Sequence, residues 1–167
     1  MADAGLLEES ARVELVDGEL VYMAPIGSRH AYIVNKLSQT LSVAVAGRFL
    51  VSVQNPVRLG DRSEPQPDIA VLKDGKYMDA LPTADDVLLI VEVSDTALDY
   101  DRDVKLALYA RHGIPEVWLL DVNALEFEVY SEPAEDQYRL IRKPTVAEVV
   151  SPAAVAGVAI ALAEMWG

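Results

Sequence analysis

The 167-residue chain contains no cysteine. That excludes disulfides, thiolate zinc sites and a thiol nucleophile, and nothing argues for secretion. It has no apolar run near the ~20 residues that a membrane-spanning helix needs. Met1 to Gly5 carry no basic stretch leading into an apolar one, so no signal peptide is expected and the cytoplasm is the expected compartment. Basic residues are few: 14 Lys and Arg stand against 27 Asp and Glu, giving a net charge of −13. This argues against a general nucleic-acid binder, whose affinity comes from neutralising phosphates. It leaves room for an enzyme with a local cationic surface or a divalent metal in its site. What is present is a globular composition, 51% hydrophobic and 25% charged. The length predicts one domain over residues 1–167, large enough for a real core.

Residues 1–12 read as a loose or helical lead-in. Residues 13–16, Asp17-Gly18 and 19–23 predict a hairpin, because Asp-Gly supplies the positive φ angles of a two-residue turn. Ser28 is placed to cap a helix over residues 29–46, whose apolar stripe is Ile33, Val34, Leu37, Leu41 and Val45. Gly47 is its expected stop. Residues 49–53 and 56–59 are strand-like, and 60–66 form a polar loop. Residues 68–73 and 88–93 predict strands, the second so uniformly apolar that both faces should be buried. Ser94, Asp95, Thr96 and Asp99 offer caps for a helix over 99–112, which Gly113 and Pro115 end. Residues 116–121 predict a strand, and 125–131 with 137–142 a hairpin around 132–136. The tail predicts a short helix and a strand near 158–162. This order implies an α/β domain with a mixed central β-sheet flanked by helices and an N-terminal β-hairpin.

The informative residue is Glu92, one carboxylate inside Leu88-Leu89-Ile90-Val91-Glu92-Val93. A carboxylate in a buried run is costly unless a cation or hydrogen bonds compensate it. Asp68 opens the preceding strand and Lys105 lies on the following helix. If those strands are neighbours, both carboxylates reach one point. Two carboxylates with open water positions suit Mg²⁺ when a phosphate supplies further ligands. A lysine beside them offsets charge on a pentavalent phosphate. Asp101 and Lys105 are one turn apart and can pair. Taken singly, Asp68 is more often a turn carboxylate and Lys105 more often a solvated helix residue; Glu92, between two valines, is harder to dismiss. Glu14 reads equally as a carboxylate added from the hairpin or as an exposed strand residue. His30 opens a helix on its apolar side, where a half-buried core histidine is the commoner outcome. The helix N-terminus there also disfavours the cationic imidazole. Tyr109 shares a helical face with Lys105 and reads as packing, and His112 as part of the helix end.

Several motifs occur in order: Glu14-Leu15-Val16-Asp17-Gly18-Glu19-Leu20, His30 before a helix, Pro67-Asp68, Val91-Glu92-Val93-Ser94, Asp101…Lys105…Tyr109, and Gly113-Ile114-Pro115-Glu116-Val117-Trp118-Leu119-Leu120-Asp121. This set resembles the Uma-two restriction endonuclease family of the PD-(D/E)XK nuclease superfamily, from about Val13 to the end. The closing stretch around Gly157 and Ile160 fits the same family. The resemblance implies a restriction-endonuclease-like core in which Asp68 and Glu92, with the Val93 backbone carbonyl, hold Mg²⁺ or Mn²⁺. It implies phosphodiester hydrolysis by a metal-bound water, with Lys105 positioning the water and stabilising charge; Glu14 and His30 stand beside these as outer catalytic candidates from the residues themselves. One departure matters: the superfamily expects a lysine two residues after the glutamate, and that position is Ser94. The family's lysine then comes from the next helix, at Lys105.

The expected partner is DNA, with no membrane involved. Cutting both strands of a duplex makes a homodimer sensible. No helix is rich in the Arg, Asn and Gln of a major-groove reader, and Arg58, Arg62, Arg102, Arg111, Arg139, Arg142 and Lys143 are scattered. Two other readings stand beside the nuclease. One is an inactive nuclease-fold binding or assembly module, favoured if Lys105 points away from Asp68 and Glu92. The other is a metal-dependent hydrolase of a small phosphorylated substrate, favoured by a small closed pocket.

Overall fold

A computed structural model of the chain describes residues 12–95 and 101–167. Residues 1–11 of the expected 1–12 lead-in, and the expected start of the second helix, lie outside the described residues. The hairpin forms as expected: β1 (Val13–Val16) pairs with β2 (Glu19–Tyr22), with Asp17 at φ 50° and Gly18 at φ 84° in the turn. Next come α1 (Ser28–Val45), β3 (Phe49–Val53) and β4 (Ile69–Lys73). Then follow β5 (Val87–Ser94), a π-helical turn at Asp101–Lys105 continuing into α2 (Leu106–Arg111), and β6 (Glu116–Asp121). The chain closes through β7 (Glu126–Ala134), β8 (Gln137–Arg142), β9 (Val149–Val150) and β10 (Ile160–Ala161).

The central sheet runs β3-β4-β5-β6-β7-β8. Only β5 and β6 pair in parallel, and α2 lies in the crossover between them. Such a connection is what a parallel pair requires. One face of the sheet carries Ile69, Val71, Leu89, Val91, Val93, Trp118 and Leu120 against the α1 stripe and the tail segment. All five expected stripe residues are buried there, each worth about 1.5–3 kcal/mol of transfer free energy. The other face carries Ala70, Leu72, Ile90, Val117 and Leu119 against Leu106, Leu108 and Tyr109 of the α2 segment. β5 and β6 are therefore buried on both faces, for β5 as its apolar run predicts.

Local departures have local reasons. Gly27, not Ser28, is the N-cap of α1, and a Cβ on Gly27 would lie 2.8 Å from Asp95 Oδ2. The reversal after α1 begins one residue early, with Ala46 itself left-handed at φ 50°. Residues 56–59 do not form a strand. Arg58 makes one bridge to Thr83, while Val57 and Leu59 are buried in the core on the α2 side of the sheet. The described part of the second helix opens with the π-helical turn at Asp101–Lys105 and ends at Arg111. Its stop is as expected: Gly113 takes φ 72°, and Ile114 N–H returns to the Tyr109 carbonyl at 3.0 Å. The hairpin strand β7 runs on to Ala134, leaving Glu135 and Asp136 as the turn before β8. The tail makes a two-stranded β9–β10 pair and a 3₁₀ turn at Leu162–Glu164.

Candidate active site

Glu92 lies near the end of β5. The antiparallel register pairs Ile69 with Val91, so one further step places Asp68 opposite Glu92. Residues directly opposite in an antiparallel pair project to the same face. The two carboxylates are thus brought together by register alone, from neighbouring central strands.

Each carboxylate is held by specific donors. Asp68 Oδ2 accepts the Val93 N–H at 2.8 Å, and Asp68 Oδ1 lies 3.1 Å from His30 Nε2. Gln54 Nε2 is 3.5 Å from the same oxygen, a weak contact. Glu92 Oε1 lies 2.6 Å from Lys105 Nζ and also accepts the Tyr109 hydroxyl. Lys105 is only 2% exposed, and its Nζ is also 2.9 Å from Glu14 Oε1. Glu14 Oε1 in turn accepts the Gln66 N–H at 2.8 Å, and Gln66 Nε2 donates to the Val13 carbonyl at 3.0 Å. Hairpin, loop, central strand and crossover helix therefore meet at one ammonium group. The expected Asp101–Lys105 pair falls on the Asp101 side chain, which lies outside what the structure describes.

Electrostatics follow from burial. The Tyr109 hydroxyl is pushed well above its usual value, first by burial and then by the Glu92 carboxylate beside it. It therefore remains a donor. Burial alone would lower the His30 pKa, but the hydrogen bond to Asp68 and the charges of Asp68 and Asp95 outweigh it, and the net shift is upward. The N-terminus of α1 acts in the opposite direction, and the adjacent carboxylate at hydrogen-bond distance is the stronger influence. His112 is lowered by burial and by Arg111.

A cavity of about 340 Å³ opens on this cluster. Glu14, His30, Asp68, Glu92 and Lys105 all line it, as does the segment from Val93 to Asp95. Val93, whose carbonyl is an expected metal ligand, thus borders the same space. Among the described residues, no three His, Cys, Asp or Glu side chains converge as a metal cage. The donor set fits a Mg²⁺-type ion, since that ion takes one or two carboxylates and leaves its other positions to water and phosphate.

Sequence reasoning missed three contributors. Tyr109 packs as expected, but its hydroxyl also holds Glu92. Gln66 anchors Glu14 from a loop that carries no pattern. Glu128 is buried on β7 and binds Arg102 at 3.0 Å and Lys143 at 3.3 Å while accepting the Tyr130 hydroxyl. It ties the π-helical turn to the sheet, and its visible signal was a carboxylate within Phe127-Glu128-Val129-Tyr130. Tyr109→Phe tests the first of these. It removes a buried donor to a charged acceptor without changing volume, so a loss of about 1.5–3 kcal/mol is expected in urea unfolding. A change below ~0.5 kcal/mol would mean that the hydroxyl is dispensable to Glu92.

A mixed six-stranded sheet with an N-terminal hairpin and facing carboxylates on its central strands places the chain in the α/β class to which nuclease folds belong. A crystal structure described as "a putative nuclease belonging to DUF820", from Anabaena variabilis ATCC 29413, superposes with a TM-score of 0.80. It shares 15% identity and the match covers 98% of this chain and 94% of that one, a likeness of fold. Residues 3–163 match the family described as "Uma2: Putative restriction endonuclease", and the chain belongs to that family. No curated protein matches it.

Proposed function

We propose that this chain is a Mg²⁺-dependent DNA endonuclease, Mn²⁺ serving in its place, that hydrolyses phosphodiester bonds. The observation that carries the reading is that Asp68 and Glu92, one step beyond the Ile69–Val91 pair, line one cavity with Lys105 Nζ 2.6 Å from Glu92. Family membership and fold support a nuclease of this general kind. A lysine turned away from the carboxylates would have favoured a binding module.

Asp68 and Glu92 would hold the ion, with the Val93 carbonyl beside them. Bound there, it would supply positive charge next to a phosphoryl oxygen. The chain's own groups do the rest. The Val93 N–H and His30 fix the Asp68 carboxylate; Tyr109 and Lys105 fix Glu92. Lys105 also supplies the ammonium that orients the attacking water and offsets charge developing on the phosphate. Glu14 shares that ammonium and sets its position. One such cluster cuts one strand, so double-strand cleavage calls for two copies of the chain, and we assign a homodimer to that task.

The test is cleavage of plasmid and of single-stranded oligonucleotide in Mg²⁺, in Mn²⁺ and in EDTA, with wild type beside Glu92→Gln. Cutting in either metal is expected, with none in EDTA and none by the variant. Cutting that survives Glu92→Gln would remove the site. Wild type that leaves DNA intact but releases phosphate from mononucleotides would replace the nuclease with a small-substrate hydrolase.

A further inference from the structure

Four buried side-chain polar atoms among the described residues have no hydrogen-bond partner: Arg12 Nη2, His30 Nδ1, Ser94 Oγ and Arg102 Nε. Three of the four belong to residues lining the cavity at Asp68 and Glu92. A buried donor left without a partner is unfavourable and uncommon in folded proteins. Three around one cavity point to a ligand that completes them.

We propose that Arg12 and Ser94 form an anion subsite that takes a backbone phosphate of nucleic acid beside the Asp68–Glu92 pair. The inference rests on the nuclease reading and adds the residues that grip the substrate. Ser94 is 3% exposed and closes β5 two residues beyond Glu92. Residues two apart on a strand share a face and lie about 7 Å apart, so its hydroxyl lies on the same side of the strand as the Glu92 carboxylate. A hydroxyl carries no charge. Arg12, at the start of the hairpin, supplies it, and a guanidinium fork matches phosphate oxygens in geometry. The cations at this space are Lys105, bound to Glu14 and Glu92, and Arg12, whose Nη2 has no partner among the described residues. His30 Nδ1 is the third atom, but the proposal stands on the other two. Glu14, Asp68, Glu92 and Asp95 place four carboxylates around the same space, so anion binding there should require a divalent cation.

The experiment measures binding of a fluorescent DNA duplex by anisotropy in Ca²⁺, which takes similar oxygen ligands in looser geometry. Cleavage in Mg²⁺ is followed in parallel. Arg12→Ala should weaken binding roughly tenfold, the scale of one charge-assisted hydrogen bond, and Ser94→Ala severalfold less. Arg12→Lys should recover part of the loss. A neutral methylphosphonate at the cut linkage should weaken wild type about as much as Arg12→Ala does and weaken Arg12→Ala no further. Thermal melts separate this from a structural role. Ser94→Ala deletes an unpartnered buried hydroxyl and should melt no lower than wild type. Variants that bind and cut like wild type would overturn the subsite and leave the nuclease standing. Inorganic phosphate that competes only with wild type, while all variants hold DNA equally, would reassign the pocket to free phosphate and overturn the backbone assignment. Wild type that neither binds nor cuts would overturn both readings.

Discussion

Lys105→Met is expected to cost about 3–5 kcal/mol of stability, the range for breaking a buried ion pair from one side, and to abolish cleavage. The ammonium is fully enclosed and touches both Glu14 and Glu92. Methionine fills much of the same volume but leaves two carboxylates facing each other in a low-dielectric setting. The cost therefore comes less from the lost pair than from the charges stranded by its removal. Glu14→Gln added to Lys105→Met relieves one of those charges and should return part of the stability. It should return no cleavage, because no ammonium remains beside Glu92. Urea unfolding of the two variants against wild type checks both statements. A single variant within ~1 kcal/mol of wild type would show that the carboxylates are solvated and that Lys105 does not organise the cluster.

Asp68→Asn is expected to separate activity from stability. The amide keeps one carbonyl oxygen but turns a donor toward either the Val93 N–H or His30 Nε2, which both address the carboxylate. His30 can adapt by carrying its proton on Nδ1 and presenting a lone pair at Nε2. The stability loss should then stay near ~1 kcal/mol. Cleavage should fall by more than ~10²-fold, since even partners that merely orient a metal ligand cost about 10–100-fold. Single-turnover cleavage with Mn²⁺ titration calorimetry reads the two effects separately. Cleavage within tenfold of wild type, or unchanged Mn²⁺ affinity, would take Asp68 out of the metal-binding role.

Much of this was legible in the sequence because it depends on short-range pattern. The Asp17-Gly18 turn, the α1 stripe and the apolar runs of β5 and β6 are local signals, and each formed where its pattern predicts. Glu92 was conspicuous because a strand buried on both faces tolerates no unexplained carboxylate. What was hidden depends on tertiary contact. The reach of Glu14 to Lys105 spans 91 residues, and no pattern in β1 distinguishes it from an exposed strand carboxylate. Tyr109 sits at helical spacing among core residues, so its apolar role masked its hydroxyl. Residues 56–59 alternate like a strand, yet Val57 and Leu59 spend that alternation on the core under the hairpin. The π-helical turn at Asp101–Lys105 carries Arg102, whose clamp to Glu128 on β7 is invisible until the sheet is assembled.

The ion pair that joins the hairpin to the crossover helix has a consequence for the order of synthesis. Glu14 leaves the ribosome 91 residues before Lys105, a delay of roughly 5–18 s at ~5–20 residues per second. Within that interval its carboxylate has the Gln66 N–H to meet but no ammonium to offset its charge. Docking of the hairpin is completed only after the π-helical turn that carries Lys105 has emerged. A nascent or truncated chain ending before residue 105 thus holds Asp68 and Glu92 without the cation between Glu14 and Glu92, and the cluster becomes complete only when both ends of that interval are present.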